Sequence, residues 1–378
     1  PVMKDYIDRS EELDSSFRFC HGDVGTTIRD IATQIVKHTS TWLGRLEVLE
    51  DTLSDALSDK QYPVAIADIE VFYQQAGSWL SGAERLLMLW DRLRKETKIG
   101  EVPIACWLKL DVLADGNMDI SINASPIQAA EILKDRLWGS CYDAVLTSAT
   151  LRSLGNFNAL QRETGIPSSS LFLSVAGAFD YAKAASLKVP SDAAEGNSVE
   201  QHTEYIIDNL SNLIESNVGT LVLFSSKRQM EEVFDDLPKD LTKFVLIQGQ
   251  YSNREMIRLH KERIDQGNTS VLLGLASFAE GVDLPGDYCR HVVIAKLPFA
   301  VPNDPLQQAL AEWIEVNGGN SFFDISLPLA SLRLIQAAGR LLRTETDEGT
   351  VTILDKRLVS KRYGSQLLDA LPPFRREI

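Results

Sequence analysis

A chain of 378 residues is too long for one ordinary core and implies two or three folding units. Its composition, 44% hydrophobic and 24% charged, is that of a globular protein; no apolar run reaches membrane-span length and residues 1–30 lack the order of a signal peptide, so a cytoplasmic chain is expected. A net charge of −15 and an isoelectric point near 4.9 argue against a broad basic surface for nucleic acid but leave room for a narrow local track.

The chain opens Pro1-Val2-Met3 within polar sequence, which reads as a piece of something longer. Residues 25–98 follow a long helical pattern. Ile28, Ile31 and Ile35, then Leu43, Leu46 and Leu49, then Trp79, Leu86, Trp90 and Leu93 recur at helical steps, predicting a helical bundle or hairpin. The aromatic residues Trp42, Phe72, Tyr73, Trp79 and Trp90 could stack on bases, but their helical spacing predicts core packing. Gly22-Asp23-Val24-Gly25-Thr26-Thr27 lacks the lysine and the preceding strand of a phosphate loop. Cys20, Cys106, Cys141 and Cys289 form no Cys-x-x-Cys pair and read as buried thiols, and the five histidines show no ligand spacing, so no metal site is expected.

Beyond Val102 the texture changes. Residues 107–112 and 118–122 alternate as strands do, with Asp115-Gly116 suggesting a hairpin between them, and Pro126 starts a helix. Residues 142–151 read as an apolar strand ending in hydroxyls, among them Ser148 and Thr150, which could relay the presence of a phosphate across a cleft. Residues 165–198 are loop-rich. After them, near-continuous apolar strands at 219–224, 243–247, 270–274, 291–295 and 349–354 alternate with helical segments. That alternation predicts an α/β fold, a doubly wound parallel sheet whose ligands sit at the carboxyl ends of the strands.

The residues after each strand are therefore the candidates. Ser225, Ser226 and Lys227 suit a phosphate at a helix start, and Gln248 follows the next strand. After the third strand come Ser277 and then Glu280-Gly281-Val282-Asp283, in which the carboxylates can accept from ribose hydroxyls, arginines or amides while Gly281 permits a turn. Residues 296–305 form a proline-stiffened loop in which Phe299 is exposed or wedged. Asp355 ends a strand, and a structural ion pair is the expected role for it. Residues 331–343 read as one helix whose Gln336, Arg340 and Arg343, at i, i+4 and i+7, project together. Two guanidiniums beside an amide on a stiff rod can grip the oxygens of a transferring phosphate; the plain alternative is a solvated helical face.

Gln336-x-x-Gly339-Arg340-x-x-Arg343 resembles the sixth motif of superfamily 2 helicases, and the run from Gln336 to Gly349 is similar to the DinG family, bacterial relatives of the XPD helicase. Thr147-Ser148-Ala149-Thr150 resembles the third motif, Glu280-Gly281-Val282-Asp283 the fifth, and residues 296–305 the corresponding DinG loop. A departure is Gly177-Ala178-Phe179, where the family usually shows Ser-Pro-Phe.

The resemblance implies an ATP-dependent helicase moving 5′ to 3′ on single-stranded or forked DNA, a monomer with no membrane attachment. It implies RecA-like motor domains: a helical Arch-like segment at 1–101, the return of the first motor domain at 102–151, and the second motor domain at 152–378. Ser225, Ser226, Lys227, Gln248 and Ser277 would lie along DNA; Glu280, Gly281, Asp283 and Gly339 would line the nucleotide cleft; Gln336, Arg340 and Arg343 would face ATP; Ser148 and Thr150 would couple the two. No phosphate-loop lysine motif, no strand ending in Asp-Glu and no cysteine cluster occur. The main ATP and Mg2+ site and the family's 4Fe-4S cluster are therefore expected outside this chain, which alone should neither hydrolyse ATP nor unwind DNA. A binding module that keeps the fold and has lost catalysis is the alternative.

Overall fold

A computed structural model describes residues 16–58, 64–96, 101–112, 117–196, 198–275, 278, 281–300 and 304–378. These fall into two compact units, Pro1–Ala129 with Pro302–Asn320, and Ala130–Val301 with Ser321–Ile378.

In the first unit, helix α1 (Gly25–Ser58) and helix α2 (Ile66–Arg94) form a hairpin. Ile28 and Ala32, early in α1, share a buried cluster with Leu93, late in α2, so the helices run antiparallel. Strands β1 (Ser16–Phe19), β2 (Ile104–Val112) and β3 (Met118–Pro126) make an antiparallel sheet in that order. Phe19, Cys106 and Leu108 pack the sheet on the base of the hairpin. The Asp115-Gly116 turn lies outside the described residues, but the register Val112↔Met118 shows that β2 and β3 pair from that end. The helix Pro305–Val316 completes the unit: Asp304 caps it by accepting from Leu306 N–H, and Glu312 accepts from Arg18 at 2.7 Å and from His21 N–H at 3.0 Å.

Core packing does not hold for every aromatic residue here. Tyr73 and Trp90 are half-buried, but Trp42, Phe72 and Trp79 face solvent. A two-helix hairpin buries only one seam, and periodicity does not distinguish a seam position from its neighbour one residue away.

The second unit holds a seven-stranded, wholly parallel sheet of order β10-β4-β9-β8-β5-β7-β6. Its strands are β4 (Ala185–Lys188), β5 (Gly219–Phe224), β6 (Val245–Ile247), β7 (Ser270–Leu275), β8 (His291–Ile294), β9 (Gly349–Ile353) and β10 (Arg375–Glu377). Alternate residues of the central strands feed two cores. Leu221, Leu223, Leu272 and Val292 pack with helices α5 (Asn253–Asp265), α6 (Leu327–Ala338) and α7 (Gly364–Ala370). Val222, Phe224, Leu273 and Val293 pack with helices α3 (Val199–Leu213) and α4 (Lys227–Asp236). Helices thus cover both faces, which is the doubly wound arrangement that the run of apolar strands predicts.

Three sequence-based expectations change. Strands β4 and β10 arise where loop or tail was expected: they are four and three residues long, and β10, on the sheet edge, is polar and exposed. Residues 142–148 form no strand, and Tyr142 and Val145 are almost fully exposed, because no described strand lies alongside to pair their backbone. The helix expected at 331–343 ends at Ala338. From there Arg340 and Leu341 donate to Ala337 and Ala338 three residues back, and the consecutive Leu341 and Leu342 turn into the core.

Candidate nucleotide and nucleic-acid site

The carboxyl ends of the central strands carry most of the candidates. Ser226 caps α4 by accepting from Gln229 N–H, and Lys227, exposed in the first turn, pairs with Glu231 at 3.5 Å. Ser225 is half-buried between strand and helix. Gln248 extends the β6–β7 ladder through its own N–H, and its side-chain oxygen accepts from Leu275 N–H at 2.8 Å, so it fixes the chain just where it leaves β7. Ser277 and Glu280 lie outside the described residues. Gly281 and Asp283 are exposed.

Arg340 and Arg343 do not share a helical face with Gln336. Gln336 lies within α6, Gly339 closes the helix, and both arginines belong to the loop beyond it. The reason is an anchor that carries no signal in the local sequence, Asp347, which is buried at 5% exposure. One carboxylate oxygen accepts from Arg343 N–H at 2.7 Å and Thr344 N–H at 2.9 Å; the other accepts from Gly286 N–H at 3.0 Å and the Thr344 hydroxyl at 2.6 Å. Burial alone would raise its pKa, but the Thr344 hydroxyl and these amides outweigh burial and hold it below the ordinary carboxylate value. Asp347 therefore ties the Arg343 loop to the loop of Asp283 and Gly286.

Across that tie, the Arg343 guanidinium donates to Val282 carbonyl at 2.8 Å and stands 3.6 Å from Asp283 Oδ1. The fifth-motif-like and sixth-motif-like segments thus meet through one cation. Gln336 makes a second junction, donating to Thr150 Oγ1 at 3.2 Å, while Thr150 N–H donates to Ser148 Oγ. Just beyond, Ser331 Oγ accepts from Leu154 N–H, in a tight turn where Leu154 takes φ 46° and Gly155 φ 80°. A leucine rarely adopts that conformation, and its packing on the α6 core holds it there. Ser331 was not among the candidates; its burial became visible only once the turn was placed against α6.

The remaining polar groups are structural. Asp355, fully buried, accepts from Leu297 N–H at 3.0 Å and pairs with Arg357 at 2.6 Å, the ion pair expected of it, though with Arg357 rather than Lys356. Phe299 is wedged between Phe322 and Tyr363, with Arg357 over its ring. Gly177, in the segment that departs from the family pattern, leaves room for Tyr181: an added Cβ would lie 2.7 Å from its hydroxyl. Of the thiols, Cys106 and Cys289 are buried, which pushes them up to about 11 and about 12, but Cys20 is exposed.

Residues 208–374 match the helicase C-terminal domain family. The chain is 37% identical over 371 residues to the ATP-dependent DNA helicase DinG of Photobacterium profundum, covering 97% of this chain and 53% of that protein. The chain belongs to the DinG family. The DinG helicase of Escherichia coli (strain K12) is 33% identical over 379 residues, covering 99% of this chain and 52% of the relative. The chain therefore spans about half the length of these DinG relatives. A solved apo XPD structure superposes with a TM-score of 0.51 at 15% identity, covering 98% of this chain and 74% of that one, a likeness of fold. Among the described residues, no helix of this DinG chain is long and apolar enough to cross a membrane.

Proposed function

We propose that this DinG chain is the C-terminal part of a cytoplasmic, monomeric ATP-dependent helicase that moves 5′ to 3′ on single-stranded or forked DNA. Residues 1–101 serve as an Arch-like segment, 102–151 as the return of the first motor domain, and 152–378 as the second motor domain. The observation that carries the reading is the Arg343 guanidinium lying against Val282 and Asp283, with the whole loop clamped by Asp347. Phosphoryl transfer asks the protein chiefly for positioned positive charge, and a charge held between two strand-end loops meets that need.

Gln336, Arg340 and Arg343 offer side-chain amide and guanidinium donors that suit phosphate oxygens, and Gly339 closes the helix between them. ATP, when bound, supplies the phosphoryl bond whose hydrolysis drives movement. Mg2+ and the family's 4Fe-4S cluster are assigned to the part of the enzyme outside this chain, whose sequence carries no phosphate-loop lysine motif, no strand ending in Asp-Glu and no cysteine cluster. The Gln336–Thr150 bond is the route by which nucleotide state reaches the strand-side loops, where Ser225, Ser226, Lys227, Gln248 and Ser277 contact DNA.

The test is Arg343→Ala in the longer parent enzyme. The expected result is a fall in DNA-stimulated ATP turnover on the order of a hundredfold or more, with DNA affinity little changed. Equal loss of both would make Arg343 a DNA contact and overturn its assignment.

A further inference from the structure

The α1–α2 hairpin has two chemically different sides. Its helices meet along positions such as Thr39, Leu43 and Leu46 on α1 and Ile69, Tyr73 and Ala76 on α2, all buried or half-buried. One position before seam residues stand Trp42, Arg45 and Leu49 on α1, and Phe72, Trp79 and Leu86 on α2. A step of one residue turns about 100° around a helix axis. Because the helices are antiparallel, the same step turns both sets to one side of the hairpin.

Ile28 and Leu93 share one buried cluster, and measured from them the exposed apolar residues fall at matching distances along the two helices. Counting inward from Ile28 and Leu93, fourteen residues along each helix reach Trp42 and Trp79, and twenty-one reach Leu49 and Phe72. All are open to solvent: Trp42 is 67% exposed, Trp79 58%, Phe72 56%, Leu86 45% and Leu49 39%. One position after seam residues come Glu47, Asp51, Glu70 and Glu84, so carboxylates line the opposite side. Among the described residues the carboxylates one position before a buried residue are Asp55, late in α1, and Asp68, in the first turn of α2, both beyond the two apolar levels, and the centre between those levels carries Arg45 and Gln75.

We propose that this stripe binds unpaired DNA, stacking bases on Trp42 and Trp79 at one level and on Phe72 at the other, with Arg45 on a phosphate between them. The two levels are seven residues apart, about 10 Å along the helices. That is about three steps of the 3.4 Å rise per nucleotide of a stacked strand. Aromatic platforms with a cation between them bind single strands without regard to sequence. The arrangement suits a second protein less well: at their exposed fractions the three rings and two leucines offer on the order of 500 Å2, against the roughly 800 Å2 per partner of a stable interface. The segregation of carboxylates to the far side also matches a polyanion. The inference rests on the DNA-helicase reading above and adds a strand site on the hairpin, in the other compact unit from the strand-end loops.

The experiment is fluorescence anisotropy of a 5′-labelled oligothymidylate titrated with the 378-residue chain, its Trp42→Ala/Trp79→Ala variant and its Trp42→Phe/Trp79→Phe variant. Both tryptophans are exposed, so circular dichroism and the thermal midpoint should be unchanged in each. The alanine variant is expected to bind about tenfold or more weakly, at 1–3 kcal/mol per stacked base, and the phenylalanine variant to keep most of the affinity. Wild-type affinity in the alanine variant would overturn the stripe and leave the helicase reading standing. No binding by the wild-type chain would remove both. Unchanged DNA binding together with lost self-association in sedimentation would make the stripe a contact between copies and equally overturn the proposal.

Discussion

Replacing Asp347 by Asn tests the clamp that shapes the site. The carboxylate takes four hydrogen bonds, two at each oxygen, from Arg343 N–H, Thr344 N–H, Gly286 N–H and the Thr344 hydroxyl. Asn keeps one accepting oxygen and turns an NH2 toward the other two donors. Two donors lose their acceptor at about 1–3 kcal/mol each, so the loop should be weakened by about 2–6 kcal/mol. In hydrogen-exchange mass spectrometry, the peptides carrying Gly286, Arg343 and Thr344 should then exchange about 30-fold or more faster. The clamp also carries a pH dependence. Asp347 is depressed in the folded chain, so its contribution is complete above the unfolded value of 3.8 and is lost as pH falls through the folded value. Exchange at Arg343 and Thr344 unchanged by the substitution would refute the clamp.

Buried groups set two further outcomes. His202, His260 and His291 each bridge neutral between a backbone carbonyl and a side chain: His202 joins Leu354 to Gln229, His260 joins Tyr288 to Ser270, and His291 joins Leu213 to Thr352. Burial lowers all three, His260 to about 4, so the unfolded chain binds more protons between there and about 6.5 and stability must fall as pH drops through that window, by about 3 kcal/mol from His260 alone. A urea midpoint for the second unit that is flat from pH 7 to 4.5 would contradict this. At Gly219 in β5, an added Cβ would lie 2.0 Å from Tyr288 carbonyl oxygen, which is backbone and cannot turn away. Gly219→Ala should cost about 3 kcal/mol or more and be seen as a lowered thermal midpoint or insoluble chain; a wild-type midpoint would show that this packing is looser than the structure has it.

Much of the fold is written in local pattern. Val222 and Val293 alternate with Leu221 and Val292 because a central parallel strand is buried on both sides, and that leaves a continuous apolar run in the sequence. The order of the candidate segments, and the helical hairpin, are legible for the same reason: each is a short-range repeat of chemistry. What only the tertiary structure decided are the properties that depend on a distant neighbour. Edge strand β10 is polar because, among the described residues, one side of it has no strand to meet, and pairing with β4 alone makes it a strand. The chain leaves helix α6 after Ala338 because Asp347, nine residues on, takes the amides of Arg343 and Thr344, so the spacing of Gln336, Arg340 and Arg343 described a helix that long-range hydrogen bonds replace with a loop. Trp42 and Thr39 are equally compatible with a helical repeat, yet one lies open and the other buried, because a seam exists only where α2 lies against α1. Sequence limits which faces a segment can offer; contact with the rest of the chain selects the face that is used.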